Sequence, residues 1–568
     1  MDISTAVDYS DEVDAPEDDE SSSTRLIKDP IHGYIPISAN LARYIDSKQF
    51  QRLRNIKQLG TSSYVWPSAS HTRFEHCLGV AYLSRLMATG LQKKQPALSI
   101  TDRDVECVEI AGLCHDLGHG PWSHVWDGLF IPRALPGKKW QHEDGSEMMF
   151  DALVKENDPE RSLEDQNFIK ALIAGDHKRT PHEKPFLFDI VANKRNGLDV
   201  DKFDYIHRDS HMIGEPIHLS LERLVKSARV LDDQICYNIK DANHIYDICG
   251  ARFKLHKAIY NHKTAKAIEY MIIDALLSAD KHLKIAERVF DPKAYLHLTD
   301  WIMPQIEAST EPELEEARAI FDRIRTRQLF KCVDYKVIDW PMRNIFFENI
   351  TPEKIVEAAR ALSITVPSTP TPEAGDALST TSSSDALQVD DVIVDFSIMH
   401  YGMKEKNPVD FVRFYSKSRP TESMEAGPGV YSNLRPTFFA EDLLRVYTKD
   451  AKFYGLVQAG YRAILAELEA RNSPPAITII TDPTVPTPPA TEAPSTPTAH
   501  SRTSSFTFTA AGGSGSASTP FANNAFTTVS PSFAPPSPTR AGKKPRGTKR
   551  AKPDTSASTS GASAKKRK

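Results

Sequence analysis

Apolar residues recur at intervals of three and four along much of residues 25–363. Cys107, Ile110, Ala111 and Cys114 occupy positions i, i+3, i+4 and i+7, and Ile268, Met271, Ile272 and Ala275 repeat that spacing. A helix places such residues on one face, so the pattern predicts helices packed on helices. The period changes after VPSTPTPEAGDALSTTSSSDAL (366–387), a Pro/Ser/Thr-rich linker or loop. DVIVDFSIM (391–399) alternates like a strand, and residues 439–468 read again as helix. Neither period reaches the ends. The expected fold is mostly α, with a helical core over 25–365, a linker over 366–390 and a small α+β lobe over 391–472. Disordered termini are expected over 1–24 and 473–568.

Composition narrows the setting. The 568 residues are 40% hydrophobic and 26% charged, with 39 prolines. No run of eighteen apolar residues is present, so no membrane-spanning helix is expected. The first twenty residues are acidic where a secretory signal is basic and then apolar. Six cysteines without a CxxC pair argue for a reducing compartment and against a disulfide scaffold or zinc ribbon. The net charge of -5 hides an asymmetry. From Ser473 onward twelve Lys and Arg face three acids, so this tail carries +9 and the preceding residues -14. A basic tail on an acidic body suits an address signal or contact with polyanions.

Candidate chemistry concentrates between His71 and His142. HTRFEHCLGV (71–80), AGLCHDLGHGPWSHVWDG (111–128) and QHEDGS (141–146) supply six histidines, with Asp116, Asp127 and Glu143 interleaved. One such histidine would read as an ordinary core or surface residue. Burying so many polar groups without an ion or substrate would be costly. Imidazole with carboxylate suits Fe, Mn, Zn or Mg-type ions, and the spacing suggests a metal-dependent hydrolase.

The same residues carry a family resemblance. His76, His115-Asp116 and a distant Asp in NGLDVDKFDYIHRD (196–209) resemble the H…HD…D signature of HD-domain phosphohydrolases. DPIHGYI, FQRLRNIKQLG, NKRNGLDVDK and YGMKEKNP extend the likeness, in order, to the SAM- and HD-domain-containing deoxynucleoside triphosphate triphosphohydrolases, over 25–472. The 24 residues ahead of that segment are too short for the SAM domain found in vertebrate members.

The resemblance implies that His76, His115, Asp116 and Asp201 ligate a divalent Fe, Zn or Mn ion, with Mg²⁺ accompanying the nucleotides. It implies hydrolysis of a dNTP to deoxynucleoside and triphosphate, by attack at the α-phosphorus. His124 would be the general acid, Asp127 its orienting partner, and His119 and His142 phosphate holders. Arg73, Lys202, Arg252 and His256 would bind phosphates. Gln58 and Asp209 would take the 3′-hydroxyl, while Tyr260, backed by Leu59 and with Tyr205 lining the pocket, would crowd a 2′-hydroxyl.

It further implies nucleotide-activated assembly into a homotetramer. GTP or dGTP would be read by Asp46, Gln51 and Arg54, beside Arg25 and Leu26. A second activating dNTP would meet Val65, Arg229, Lys240, His262, Lys263, Arg327, Lys331 and Lys406. Lys28, Trp66 and Asn238 depart from the family's Asn, Phe and Arg.

In the tail, KKPRGTKRAK (543–552) and KKRK (565–568) are candidate nuclear-import signals, read by an import receptor, with weak nucleic-acid binding as another use. Ser537-Pro538 just upstream resembles a proline-directed kinase site. Two rival functions remain at this stage: an HD phosphohydrolase of other nucleotides, and a nucleic-acid-binding protein with a vestigial metal site.

Overall fold

The helix Arg73–Lys94 starts where Thr72 and Glu75 form a reciprocal capping box, and Asp102–Cys114 starts at the matching pair Thr101 and Asp104. Each box satisfies backbone N–H groups that a helix start leaves unpaired. Both helices are buried along most of their length, and Cys77, Val80, Met87 and Ala88 share one large core with Val108, Ala111 and Leu113. These contacts belong to a computed structural model that describes residues 24–217, 220–365 and 386–472. The acidic segment 1–23, most of the Pro/Ser/Thr-rich stretch (366–385) and the basic tail 473–568, with its candidate import signals and Ser537, lie outside the described residues.

Around this pair pack His142–Asn157, Val200–Met212, Ala242–Leu255 and Lys263–Leu283. The described chain is therefore mostly α. The helix expected around Cys107–Cys114 is Asp102–Cys114, and that around Ile268–Ala275 is Lys263–Leu283.

Three small sheets complete it. Arg25–Asp29 and Gly33–Ile37 form an antiparallel hairpin. A four-stranded sheet runs Arg229–Leu231, Gln234–Asn238, Arg413–Ser416, Arg419–Met424, its middle pair parallel. In the third sheet Ala440–Thr448 lies between Lys331–Asp339 and Val392–His400, antiparallel to both. A second core forms on this sheet from Val333, Ile338, Ile355, Leu444, Val446 and Tyr461, beneath the helices Pro352–Thr365 and Tyr454–Asn472.

One element corrects the sequence reading. Residues 439–468 read as a helix, but Ala440–Thr448 is a strand and the helix begins at Tyr454. As the central strand it is buried nearly throughout, Asp442 and Arg445 included, so AEDLLRVYT shows no apolar/polar alternation. Periodicity cannot separate such a run from a buried helix.

Candidate active site

The metal-ligand candidates sit at element ends. His76 is in the first turn of Arg73–Lys94, His115 and Asp116 follow the last turn of Asp102–Cys114, and Asp201 is in the first turn of Val200–Met212. Gly79 lets the first and third of these helices close: a Cβ there would lie 1.9 Å from Oδ1 of Asp204. Nε2 of His76 is 3.1 Å from Asp201 Oδ1 and 3.6 Å from Asp116 Oδ2. Nε2 of His115 is 3.4 Å from Asp116 Oδ1 and 3.5 Å from Asp201 Oδ1. Ligand atoms of His76, His115 and Asp116 lie within 4.8 Å of one another.

The donor set fits a divalent ion. Nδ1 of His115 donates to the Gly112 carbonyl (2.8 Å), which leaves Nε2 with its lone pair toward the site, buried and without a hydrogen-bond partner. Nδ1 of His76 meets Asp204 Oδ2 at 2.8 Å, so its Nε2 also faces inward. Burial opposes charging His76, yet hydrogen bonds to Asp201 and Asp204 outweigh it and raise its pKa to about 10. Asp201 is held below the usual carboxylate range, burial being outweighed by the close approach of His115 and His76. A pocket that concentrates two ionised carboxylates against two imidazole nitrogens calls for positive charge, as a proton or as a cation.

A second cluster adjoins the first. His119, His124, Asp127 and His142 offer ligand-type atoms within 4.8 Å of one another. Gly118 brings them together, since a Cβ there would lie 2.0 Å from the His142 carbonyl oxygen. Nδ1 of His142 is 2.5 Å from Asp127 Oδ2, whereas Nδ1 of His124 is 3.7 Å from Asp127 Oδ1. Burial opposes the charged form of His142, but the Asp127 contact wins and raises its pKa. Burial, with Arg73 and His142 nearby, pushes His119 well below the usual imidazole range. A neutral His119 therefore stacks on His142, ring centroids 3.9 Å apart. His124 is open, its side chain 73% exposed.

Backbone strain marks the same turn. Trp122 and Ser123 have φ of 55° and 58°, which side-chain-bearing residues rarely adopt. Asp300 accepts from the Trp122 and Lys57 N–H groups, at 2.7 and 3.0 Å. Asp127 and Tyr260 each lie in a π-helical turn, Trp126–Phe130 and His256–Tyr260, a local widening frequent at functional sites.

The substrate-binding candidates divide. Arg73 donates to Ser123 Oγ and to Asp116. Lys202 bonds both oxygens of Asp199 at 3.0 Å and stands 3.9 Å from Asp201 Oδ2. Tyr205 lies edge-on to His76, and Leu59 is partly buried against the core. Tyr260 donates to Asp209 Oδ2 at 2.6 Å, and His71 Nε2 meets Asp209 Oδ1 at 2.7 Å. Gln58 is buried with Oε1 lacking a partner. His256 packs edge-on to Tyr260, and Arg252 donates to the His400 carbonyl.

Of the activator candidates, Arg25, Asp46, Gln51 and Arg54 line one cavity of about 380 Å³, with Lys28, Asp29 and Glu75. Asp46 accepts from Arg25 at 3.1 Å, Gln51 accepts from Arg54 at 2.8 Å, and the Arg54 guanidinium lies 3.5 Å over Phe74. Leu26 is exposed on the same hairpin. Elsewhere, Trp66, next to Val65, lies edge-on to His262, Arg327 donates to the Tyr64 carbonyl, and Tyr447 donates to the Lys263 carbonyl. Lys331 opens its strand, Arg229 lies over Tyr415, Lys240 takes its N–H to Asn238 Oδ1, and Lys406 lies over Phe411.

Comparison with known proteins meets this geometry. The HD domain matches residues 73–209 and the HD-associated region residues 219–366. The chain is 42% identical over 459 residues to the deoxynucleoside triphosphate triphosphohydrolase SAMHD1 of Danio rerio, covering 75% of this chain and 71% of that protein. The human SAMHD1 is 42% identical over 460 residues, covering 75% and 70%. The chain belongs to the SAMHD1 family. A Dictyostelium discoideum homolog is 37% identical over 444 residues, covering 78% of this chain and 81% of that one.

Some supports of this SAMHD1-type site escaped the sequence reading. Asp204, one turn from Asp201, receives His76, His32 and Arg208. His71, visible in the histidine cluster but without a role, braces Asp209. Arg52, within FQRLRNIKQLG, is buried and donates to the carbonyls of Leu117, His119, Tyr295 and Leu298. It clamps the HDLGH turn from behind. Arg52→Met removes that donor from all four carbonyls, of which Tyr295's keeps the Leu298 N–H, and is expected to cost about 3 kcal/mol or more of stability, read by denaturant unfolding. An unchanged midpoint would contradict the clamp.

Proposed function

We propose that this protein is a metal-dependent hydrolase that converts a dNTP and water to a deoxynucleoside and inorganic triphosphate. The observation that carries the reading is the complete His76/His115/Asp116/Asp201 set, beside a His124–Asp127 pair and a Tyr260–Asp209 pair. Bound among those four side chains, a divalent ion supplies Lewis-acid polarisation of the α-phosphate and lowers the pKa of the attacking water.

The protein's own groups do the rest. Arg73, Lys202 and a charged His142 meet the phosphate negative charge, and neutral His119 backs His142 by stacking. The water oxygen bonds to the α-phosphorus as the bond from phosphorus to the 5′-oxygen breaks. His124 gives that oxygen its proton, so it leaves as an alcohol rather than an alkoxide. Asp127 orients His124. Asp209, held by His71, accepts from the 3′-hydroxyl with Gln58 alongside. Turnover in ¹⁸O-labelled water tests the bond broken: all label is expected in triphosphate. Label in the deoxynucleoside would mean carbon–oxygen cleavage and would sink the mechanism.

The Tyr260 ring crowds the position of a ribose 2′-hydroxyl. Tyr260→Ala is therefore expected to raise kcat/KM for ATP relative to dATP by about tenfold or more. An unchanged ratio would remove Tyr260 from sugar selection.

The activator reading has its own support. A carboxylate such as Asp46 can accept from guanine N1 and N2 but finds no such donor pair on adenine, and the cavity's basic residues suit phosphates. GTP or dGTP there, and a dNTP at the second set, would tie chains into a homotetramer. The consequence would be control of dNTP pools, with nuclear placement directed by the tail.

A further inference from the structure

The hairpin Arg25–Asp29/Gly33–Ile37 has two faces of interest. Its first strand and the turn after it, through Arg25, Ile27, Lys28, Asp29 and Pro30, line the cavity that also holds Asp46, Gln51 and Arg54. Its turn reaches in the other direction, toward the metal ligands. Asp29 Oδ1 accepts from the N–H groups of Ile31 and His32 at 2.8 and 2.9 Å, which fixes the turn. Asp29 Oδ2 takes Arg208 Nη1 at 2.8 Å. Arg208 also holds both oxygens of Asp204, at 2.8 and 2.9 Å, and His32 Nε2 meets Asp204 Oδ1 at 2.6 Å. Asp204 Oδ2 then receives Nδ1 of His76 at 2.8 Å. The side chains of Asp204, Arg208 and His76 are at most 1% exposed.

An ionised carboxylate has no hydrogen to give, so Nδ1 of His76 must be the donor to Asp204. That contact fixes the ring's orientation and leaves Nε2 to serve as ligand; partners of this kind behind a metal-bound imidazole tune affinity as well as geometry. The carboxylate doing so is itself gripped by two residues that answer to the hairpin. A displacement of the hairpin is thereby a displacement of Asp204. The helix Arg73–Lys94 completes the connection, since Phe74, Glu75 and Leu78 line the cavity while His76 points to the metal set.

We propose that Asp204 is the positioning residue for the metal ligand His76, and that Arg208, Asp29 and His32 couple it to the hairpin lining the cavity, so that a purine nucleotide in the cavity tightens the metal site. The coupling rests on the activator reading of that cavity, while the positioning role does not. Because coupling between two binding sites is reciprocal, bound metal also tightens nucleotide binding by the same factor.

The test uses the full-length protein loaded with Mn²⁺, the release of which into a chelator is followed with and without Mg²⁺-saturated GTP. Asp204→Asn is expected to bind Mn²⁺ about 10- to 100-fold more weakly, with an unchanged far-UV circular dichroism spectrum. Wild-type Mn²⁺ affinity in that variant would overturn the positioning role. His32→Phe keeps the packing against Tyr82 and leaves Arg208 on Asp204 and Asp29, so it guards against an Asp204 variant that does not fold. Whatever its rate of Mn²⁺ release without nucleotide, it is expected to lose most of the slowing that GTP causes. GTP slowing release equally in wild type and His32→Phe would overturn the coupling. GTP that binds wild type without altering release would overturn it too, while leaving the activator reading standing. Failure of GTP to bind at all would overturn the coupling by way of that reading.

Discussion

Asp201→Ala, purified as a folded protein, is expected to carry almost no stoichiometric metal and to turn over dNTPs at least about a hundredfold more slowly than wild type. Asp201 Oδ1 is the oxygen that both His76 and His115 approach, at 3.1 and 3.5 Å, so its loss takes the shared anionic ligand from the set. The remaining His76, His115 and Asp116 still converge but hold one carboxylate, itself shared with Arg73. Elemental analysis of the purified chain and a steady-state assay read the two losses together. Full metal occupancy in the variant would mean that Asp201 is not a ligand.

His124→Ala is expected to keep its metal and its KM within a few-fold while kcat falls about 10²- to 10⁴-fold, the usual range for removing a general acid. The ring lies outside the first cluster, exposed, with Asp127 as its carboxylate neighbour at 3.7 Å. It can therefore reach a leaving oxygen without disturbing the ligands. A dNTP whose bridging 5′-oxygen is replaced by sulfur needs far less protonation on leaving, so the variant should recover most of its rate with that substrate. An equal loss with both substrates would place His124 in binding or positioning instead.

How much of this could be read from the chain depends on where each residue sits. The four ligand candidates are legible because they fall in short motifs at element ends: HTRFEH, HDLGHG and NGLDVDK each carry one corner of the site. Helix periodicity around Cys107 and Ile268 was equally plain, because apolar residues repeat there at helical spacing, although burial in both helices extends well beyond that stripe. Asp204 was not legible. Its role arises only because Gly79 allows two distant helices to touch, which no local pattern encodes. Arg52 lay inside a recognisable motif, yet its four carbonyl acceptors come from segments 65 to 246 residues away. The strand Ala440–Thr448 was misread because burial on both faces left no apolar/polar alternation to identify it. Local chemistry was visible, in short, while the bracing that orients it depended on tertiary approach.

The most direct measurement is the identity of the products. Purified protein is incubated with dGTP and Mg²⁺ beside the Asp201→Ala control, and the mixture is separated by ion exchange. Deoxyguanosine and inorganic triphosphate in equal amounts, absent from the control, are the predicted result. Deoxyguanosine monophosphate with pyrophosphate would show attack that spares the 5′-oxygen bond, and would contradict the role given to His124 and with it the central claim.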